Sequence, residues 1–170
     1  ILQGQRWGLG GLAADLAALL EERDLFAIGE GVRDLDLRPR LEVMRGHAAP
    51  PGVRVDSAVR EQAGRVARLY RQRHRLRGGD APGDIEDTGL LVGLAYPERV
   101  AQARPPGSGR FRLVNGRGAI LETRQALAKA EYLAIAHTDG DPRDARIYLA
   151  APLTRDQLDR LAADQETRED

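Results

Sequence analysis

A chain of 170 residues can bury one good core or two small ones, so one or two domains are expected. The absence of cysteine excludes a disulfide framework and a thiolate metal site, and it is consistent with a cytoplasmic location. The sequence shows no secretory signal and no apolar run approaching the ~20 residues that span a bilayer, so no membrane partner is predicted. The net charge is zero, yet Lys129 is the only lysine, so arginine carries almost all of the positive charge.

Helical periodicity marks the first half of the chain. Leucines at helical spacing predict an amphipathic helix from about Gly11 to Glu22, after which Gly29 and Gly31 interrupt the pattern. A second helix is expected between Asp36, a suitable N-cap, and Gly46, a suitable C-terminal stop. The segment 47–55, with two prolines and a glycine, is typical of a loop.

A third helix is predicted from Asp56 or Ser57 to about Leu76. Its core face is expected to hold Val59, Ala63, Val66 and Tyr70, and its opposite face Arg60, Arg68, Arg71 and Arg75. Seven arginines against one acid between residues 60 and 77 make this a positive segment in a neutral chain. The arginine face is interpreted either as a solvated surface beside acidic segments or as a contact with a partner domain.

Strand patterns dominate the second half. The Gly- and Pro-rich stretch 77–84 is typical of a connector, and a short helix over 85–95 ends before Pro97. Residues 99–103 then favour an extended conformation and 105–109 a turn. Apolar residues on either side of Asn115-Gly116-Arg117-Gly118 predict a β-hairpin, because Asn and Gly accept the positive φ of such turns.

A second hairpin is predicted from the β-rich runs 132–137 and 145–150, which are joined by the turn 138–144. Thr154 is expected to cap a final helix over about 155–163, followed by a frayed acidic tail. Short strands with one helix after them indicate a small barrel of the oligonucleotide-binding (OB) kind. The predicted fold class is α+β: an N-terminal helical bundle followed by a small OB-like antiparallel β-barrel with flanking helices.

Three runs of the sequence resemble the region that follows the motor domains in bacterial HrpB-type DExH/DEAH-box ATP-dependent RNA helicases. They are GLGGLAADLAALLEERDLF (8–26), DLDLRPRLEVMRG (34–46) and TGLLVGLAYPERVAQARPPGSGRFRLVNGRGAIL (88–121). The resemblance covers nearly the whole chain and implies an accessory region without the motor. The predicted domains are a partial helical bundle over 1–78, truncated at its start; a linker over 79–84; an OB-like β domain with a leading helix over 85–152; and a C-terminal helix with an acidic tail over 153–170.

No catalytic set is visible in the sequence. A phosphate-binding loop needs a Gly-rich turn followed by Lys and Ser or Thr, and Lys129 stands in no such motif. His47, His74 and His137 are spaced too widely to suggest a metal site. We therefore expect no catalysis, cofactor or metal in this chain alone, whereas the resemblance implies that ATP and Mg²⁺ bind the motor of the full-length helicase.

The binding signal lies in residues 99–124, which carry six arginines against one acid. Guanidinium groups and exposed amides hold phosphate without reading sequence, and aromatic rings stack on any base. The candidate nucleic-acid-binding residues are Tyr96, Arg99, Arg104, Arg110, Arg112, Asn115, Gly116, Arg117 and Gly118. Phe111 is a further candidate for stacking, although core packing is favoured for it, and for Tyr96 both roles stay open.

These residues predict a region that grips the backbone of single-stranded RNA or DNA. The resemblance implies that the motor domains of the same polypeptide are its partners and that they hydrolyse the ATP. RNA is preferred to DNA by analogy with the family alone. The alternative is a protein-interaction or structural module that binds no nucleic acid directly.

Overall fold

The computed structural model describes residues 1–27, 33–77 and 80–170. The chain divides into two compact units, which we call the helical unit (Ile1–Gly31 and Leu37–Thr88) and the barrel unit (Val32–Asp36 and Gly89–Asp170). The predicted interruption at Gly29 and Gly31 lies outside the described residues, as do residues 78 and 79 of the predicted connector. The predicted domain boundary at 79–84 stays a prediction.

Within its described residues, the helical unit contains four α-helices. They are α1 (Leu2–Arg6), α2 (Gly10–Glu21), α3 (Leu37–Met44) and α4 (Ser57–Arg73), and a 3-10 turn (Asp84–Asp87) follows them. The sequence analysis did not predict α1, which is too short to show a period. The other three agree with the predicted helices, and the Asp56 side chain caps α4 by accepting from the backbone N–H groups of Ala58 and Val59.

The core of this unit lies between α2 and α4. Leu12, Leu16 and Leu19 of α2 are buried, as the leucine spacing predicted. On α4 the buried residues are Val59, Ala63 and Ala67, whereas Val66 and Tyr70, which the sequence analysis placed in the core, are half-buried. The buried arc is therefore rotated slightly from the predicted one.

Arg40 of α3 is a buried charge in this unit, with only 1% of its surface exposed. Its Nε and Nη2 atoms donate to the two carboxylate oxygens of Asp24, at 2.8 and 3.2 Å, and its guanidinium lies 4.5 Å from the centre of the Phe26 ring. A bidentate ion pair with a carboxylate and a contact with an aromatic ring together compensate a guanidinium for the loss of its contacts with water. Arg40 is therefore occupied within the fold.

In the residues that the structure describes, the barrel unit contains five strands and two α-helices. The strands are β1 (Val100–Ala103), β2 (Arg110–Leu113), β3 (Gly118–Ile120), β4 (Tyr132–Thr138) and β5 (Asp144–Leu153), and the helices are α5 (Thr88–Ala95) and α6 (Arg155–Glu169). The strands close in the order β1-β2-β3-β5-β4. Both predicted hairpins, β2–β3 and β4–β5, are present as antiparallel pairs, and the α+β class is confirmed.

One pairing departs from a purely antiparallel barrel. Strands β3 and β5 run parallel, with Ala119 opposite Ala145, while the other four neighbouring pairs are antiparallel. The reason is geometric: five strands in a closed ring cannot alternate direction all the way round, so one neighbouring pair must be parallel. The sequence-based description as antiparallel omitted this constraint.

Phe111, Leu133, Ile135 and Ile147 fill the barrel interior together with Leu35, which arrives from the segment between α2 and α3. The Leu35 backbone is held at both ends, because its carbonyl accepts from the Ala150 N–H at 3.1 Å and its own N–H donates to the Gln125 side chain at 3.1 Å. Residues 33–36 of this segment are therefore part of the barrel unit.

Helix α6 begins at the predicted cap but ends later than predicted. Thr154 and Gln157 form a reciprocal capping box, and the helix continues to Glu169, so the expected frayed tail after about residue 163 is wrong. Two ion pairs at i,i+4 spacing stabilise this polar helix. They join Arg155 to Asp159 and Arg168 to Asp164.

We expect the Thr154→Ala variant to lose about 1 kcal/mol of folding free energy, because the Gln157 N–H loses the hydroxyl that caps it. Urea denaturation followed by circular dichroism measures this loss. The Thr154→Ser variant keeps the capping oxygen and should match the wild type. Equal stability of the alanine variant would show that the cap contributes nothing.

Candidate nucleic-acid interface

The outer face of β1 and β2 gathers three of the candidate arginines. In β2, Arg110 and Arg112 are exposed while Phe111 between them is buried, as expected for alternating side chains in a strand. Arg112 lies opposite Gln102 of β1, and the Arg104 N–H donates to the Arg110 carbonyl at 2.8 Å. The strand register therefore places the side chains of residues 104, 110 and 112 on neighbouring positions of one surface.

An open groove of about 350 Å³ runs along this surface. Arg104, Arg112 and Gln102 provide its polar lining, and the Arg104 guanidinium donates to the Gln102 side-chain oxygen at 3.1 Å. Leu113 and Tyr132 add apolar surface. A groove with guanidinium groups along an apolar floor has the chemistry needed to hold both the phosphates and the bases of a single strand.

These guanidinium groups are not neutralised by carboxylates. Within the described ranges, Arg104, Arg110, Arg112 and Arg117 form no ion pair, whereas Arg124 pairs with Glu122 at 3.3 Å. Unpaired guanidiniums on one surface create a local positive potential even though the net charge of the chain is zero.

The β2–β3 turn lies at one end of the groove. The Asn115 side chain accepts from the Arg117 N–H at 3.0 Å, and Gly116 has a φ of +87°, so both residues build the turn that the sequence analysis predicted. Gly118 begins β3, where an added Cβ would lie 2.3 Å from the Asp144 carboxylate. Of these four candidates, Arg117 contributes an exposed charge, whereas Asn115, Gly116 and Gly118 determine the backbone conformation of the turn and of the start of β3.

Arg99 and Tyr96 form a contact of their own. The Arg99 guanidinium lies 4.6 Å from the centre of the Tyr96 ring and donates to the Ala136 carbonyl at 2.5 Å, and both side chains are half-buried. One face of the Tyr96 ring is thus covered by a cation from the same chain. Phe111 is 3% exposed in the barrel core, which confirms the core packing that the sequence favoured for it over base stacking.

No protein-family model matches this chain. The ATP-dependent RNA helicase HrpB of Escherichia coli (strain K12) is 37% identical over 90 residues, which is 51% of this chain and 11% of that protein. The crystal structure of the E. coli DExH-box NTPase HrpB superposes with a TM-score of 0.60 and 28% identity, covering 91% of this chain and 16% of that one. The similarity to the HrpB-type helicases is confirmed.

A second structure, of the Escherichia coli DEAH/RHA helicase HrpB, covers 85% of this chain and 16% of its own, with a TM-score of 0.58 and 22% identity. At this identity it supports the fold alone. The chain spans about a tenth of the length of the curated HrpB relative and about a sixth of the two HrpB structures. The similarity is therefore to one part of a longer helicase, as the sequence motifs predicted.

The predicted arginine face of α4 is partly wrong in this HrpB-like chain. Arg60 and Arg68 are exposed as expected, but Arg71 turns inward and forms ion pairs with Asp15 and Asp80. The reason is a buried carboxylate on α2, which attracts a guanidinium from the neighbouring helix. Periodicity within one helix carries no information about such a partner.

Two groove residues were missed by the sequence analysis, Gln102 and Tyr132. Gln102 is the least buried residue of β1, as expected for the outward position between two alanines, and Tyr132 lies opposite it on β4. The Tyr132 hydroxyl also accepts from the Arg155 guanidinium at 3.2 Å, which brings a further cation to this edge. The alternation was visible in the sequence, but the pairing of β1 with β4 was not.

A second groove, of about 210 Å³, lies between α5 and α6 and is mostly apolar. Leu94, Val100, Val114, Leu158 and Leu161 contribute its apolar lining. The charged pair at its rim, Asp164 and Arg168, is joined by an ion pair at 3.1 Å. Arg168 is the cation among the described lining residues, and it is paired with Asp164, so this groove differs in chemistry from the arginine groove on β1 and β2.

In residues 1–27, 33–77 and 80–170, no group of three or more His, Asp or Glu residues is arranged to hold a metal ion. No helix in those ranges is both long enough and apolar enough to cross a bilayer.

Proposed function

We propose that this chain is the nucleic-acid-binding accessory region of an ATP-dependent RNA helicase and that it grips the backbone of a single strand in the groove on β1 and β2. The observation that carries the proposal is the set of unpaired guanidiniums of Arg104, Arg110 and Arg112 on one outward surface. Arginine binds phosphate with a planar fork of donors, which holds the backbone whatever the base sequence.

The similarity to HrpB sets the context of the proposal. The relative's name gives RNA as the substrate of that helicase, so single-stranded RNA is the preferred ligand and single-stranded DNA the second choice. ATP and Mg²⁺ would bind motor domains of the same polypeptide, which are the proposed partners, and the setting would be the cytoplasm. Binding to the phosphate backbone does not depend on base sequence, and a helicase must move along strands of many different sequences.

The test removes two guanidiniums from the groove. We expect the Arg104→Ala/Arg112→Ala variant to bind single-stranded RNA at least about tenfold more weakly at low salt, because two phosphate contacts are lost. The slope of log affinity against log salt should become shallower by about 1.4, since each phosphate contact on a single strand contributes about 0.7. Fluorescence anisotropy of a labelled oligonucleotide across a salt series measures both quantities.

The matched control is the Arg60→Ala/Arg68→Ala variant, which removes the same charge from the exposed face of α4 in the helical unit. It should keep the affinity and the salt slope of the wild type within about twofold. Equal weakening in both double variants would indicate a general charge effect. Wild-type affinity in the groove variant would refute the proposed interface and favour a protein-interaction module.

A further inference from the structure

We propose that Tyr148 and Ile120 form a base-stacking platform on the outer face of β3 and β5, beside the arginine groove. This inference rests on the proposed function, because the platform would take the bases of the strand whose phosphates the arginines hold. It adds an aromatic contact that the sequence motifs did not single out.

The strand pattern places both residues on the outside of the barrel. In β5, Arg146 and Tyr148 are exposed while Ile147 and Leu149 are buried. Ile120 of β3 lies opposite Arg146, so Tyr148 is its diagonal neighbour on the same face. Tyr148 is 39% exposed and Ile120 is 37% exposed, which makes them an apolar pair open to solvent on a sheet surface.

The same register connects the platform to the groove. Ile120 lies opposite Arg110 on its other side, and the Arg110 carbonyl pairs with the Arg104 N–H. Across β2, β3 and β5 the outward residues in register are therefore Arg110, Ile120 and Arg146. Tyr148 lies two residues after Arg146 on the same face of β5, about 7 Å along the strand, so a guanidinium is within reach of the phosphate of a nucleotide whose base stacks on Tyr148.

The charges on this face favour one orientation of the strand. Arg110 and Arg146 lie on either side of Ile120, and neither forms an ion pair in the described part of the chain. The Asp144 carboxylate lies against Gly118 of β3, two residues before Ile120, and Tyr148 is four residues further along β5. The phosphates should follow the arginines, and the bases should turn toward Tyr148, whose ring can stack on any base.

The experiment separates base stacking from phosphate binding. Oligodeoxyadenylate and an abasic deoxyribose-phosphate strand of the same length are titrated against the full chain by anisotropy. We expect Tyr148→Ala to weaken binding of the oligodeoxyadenylate about tenfold, which is the usual effect of removing a stacking ring, and to leave the abasic strand unchanged. Tyr148→Phe keeps the ring and should behave as the wild type with both strands.

Each other outcome overturns a specific step. If the wild type binds both strands and Tyr148→Ala binds them as the wild type does, the platform is wrong and the arginine groove stands. Equal weakening toward both strands would assign Tyr148 a structural role and refute stacking. If the wild type binds neither strand, nor RNA, the proposed function fails and the platform fails with it.

Discussion

Replacing Asp15 with alanine is expected to lower the free energy of unfolding of the helical unit by about 3 kcal/mol. The Asp15 side chain is only 3% exposed, and it accepts from two guanidiniums, those of Arg45 and Arg71. Without the Asp15 carboxylate, the positive charges of Arg45 and Arg71 stay close together in a partly buried site that has lost one negative charge. The upper part of the usual range of 3–5 kcal/mol is not expected, because Arg71 is 29% exposed and can reach water.

The ion pairs around Asp15 form a connected network. Arg45 donates to Asp15 at 2.8 Å and to both oxygens of Asp84 at 2.6 and 2.9 Å, and Arg71 donates to Asp15 and to Asp80 at 3.0 Å each. Burial alone would lower the pKa of Arg45, but its hydrogen bonds to Asp84 and Asp15 outweigh that effect and raise the pKa. Arg45 therefore stays charged, and it ties α3 to α2 and to the 3-10 turn.

The measurement uses the fluorescence of Trp7, the only tryptophan of the chain, which lies in the helical unit. Urea titration of Asp15→Ala should show a lower midpoint with the same slope. The control is Asp80→Ala, whose carboxylate belongs to the same network but is 37% exposed, and whose loss should cost about 1 kcal/mol or less. If both variants lose equally little, the buried network does not stabilise the unit.

The local elements of this fold could be predicted because their signals are local. The N-caps at Asp56 and Thr154 accept hydrogen bonds from backbone groups two or three residues away, and the Asn115-Gly116 turn is built by its own residues. The alternation of Arg110 and Arg112 around a buried residue is equally local. These features depend on neighbours in sequence, so the sequence contains them.

The features that sequence analysis missed all depend on distant partners. Arg71 turns inward because Asp15, 56 residues earlier, is buried beside it. Leu35 joins the barrel core through a carbonyl that pairs with Ala150, which no local pattern indicates. Gln102 and Tyr132 line one groove because β1 pairs with β4. Strand register and helix packing decide such contacts, and one sequence without its fold does not specify them.

The second large effect is expected at the turn between β1 and β2. Gly109 has a φ of +76°, and a Cβ added there would lie 2.4 Å from the Leu121 carbonyl oxygen and 2.8 Å from the Thr123 methyl group. The carbonyl belongs to the backbone and cannot rotate away. We expect Gly109→Ala to destabilise the barrel unit by about 3 kcal/mol, the sum of ~1–2 kcal/mol for the left-handed conformation and ~1–3 kcal/mol for overpacking.

Gly107 provides the matched control, because it lies in the same turn with a φ of +77° and an added Cβ there has no atom of the described residues within 4 Å. Gly107→Ala should therefore show the conformational cost alone, about 1 kcal/mol. Hydrogen–deuterium exchange of the Leu121 amide, which donates to the Gly109 carbonyl at 2.8 Å, reports directly on the contact. Faster exchange in Gly109→Ala than in Gly107→Ala is the expected result, and equal rates would contradict the close approach.

The same pair of variants bears on the proposed interface. The turn at 105–109 holds Arg104 and Arg110 on adjacent positions, through the pairing of their backbones at 2.8 Å. A distorted turn should separate the two guanidiniums, so Gly109→Ala should lose RNA affinity in proportion to its loss of barrel order, although it removes no charge. Gly107→Ala should bind nearly as well as the wild type. Such a difference would show that phosphate binding depends on the spacing of the arginines as well as on their number.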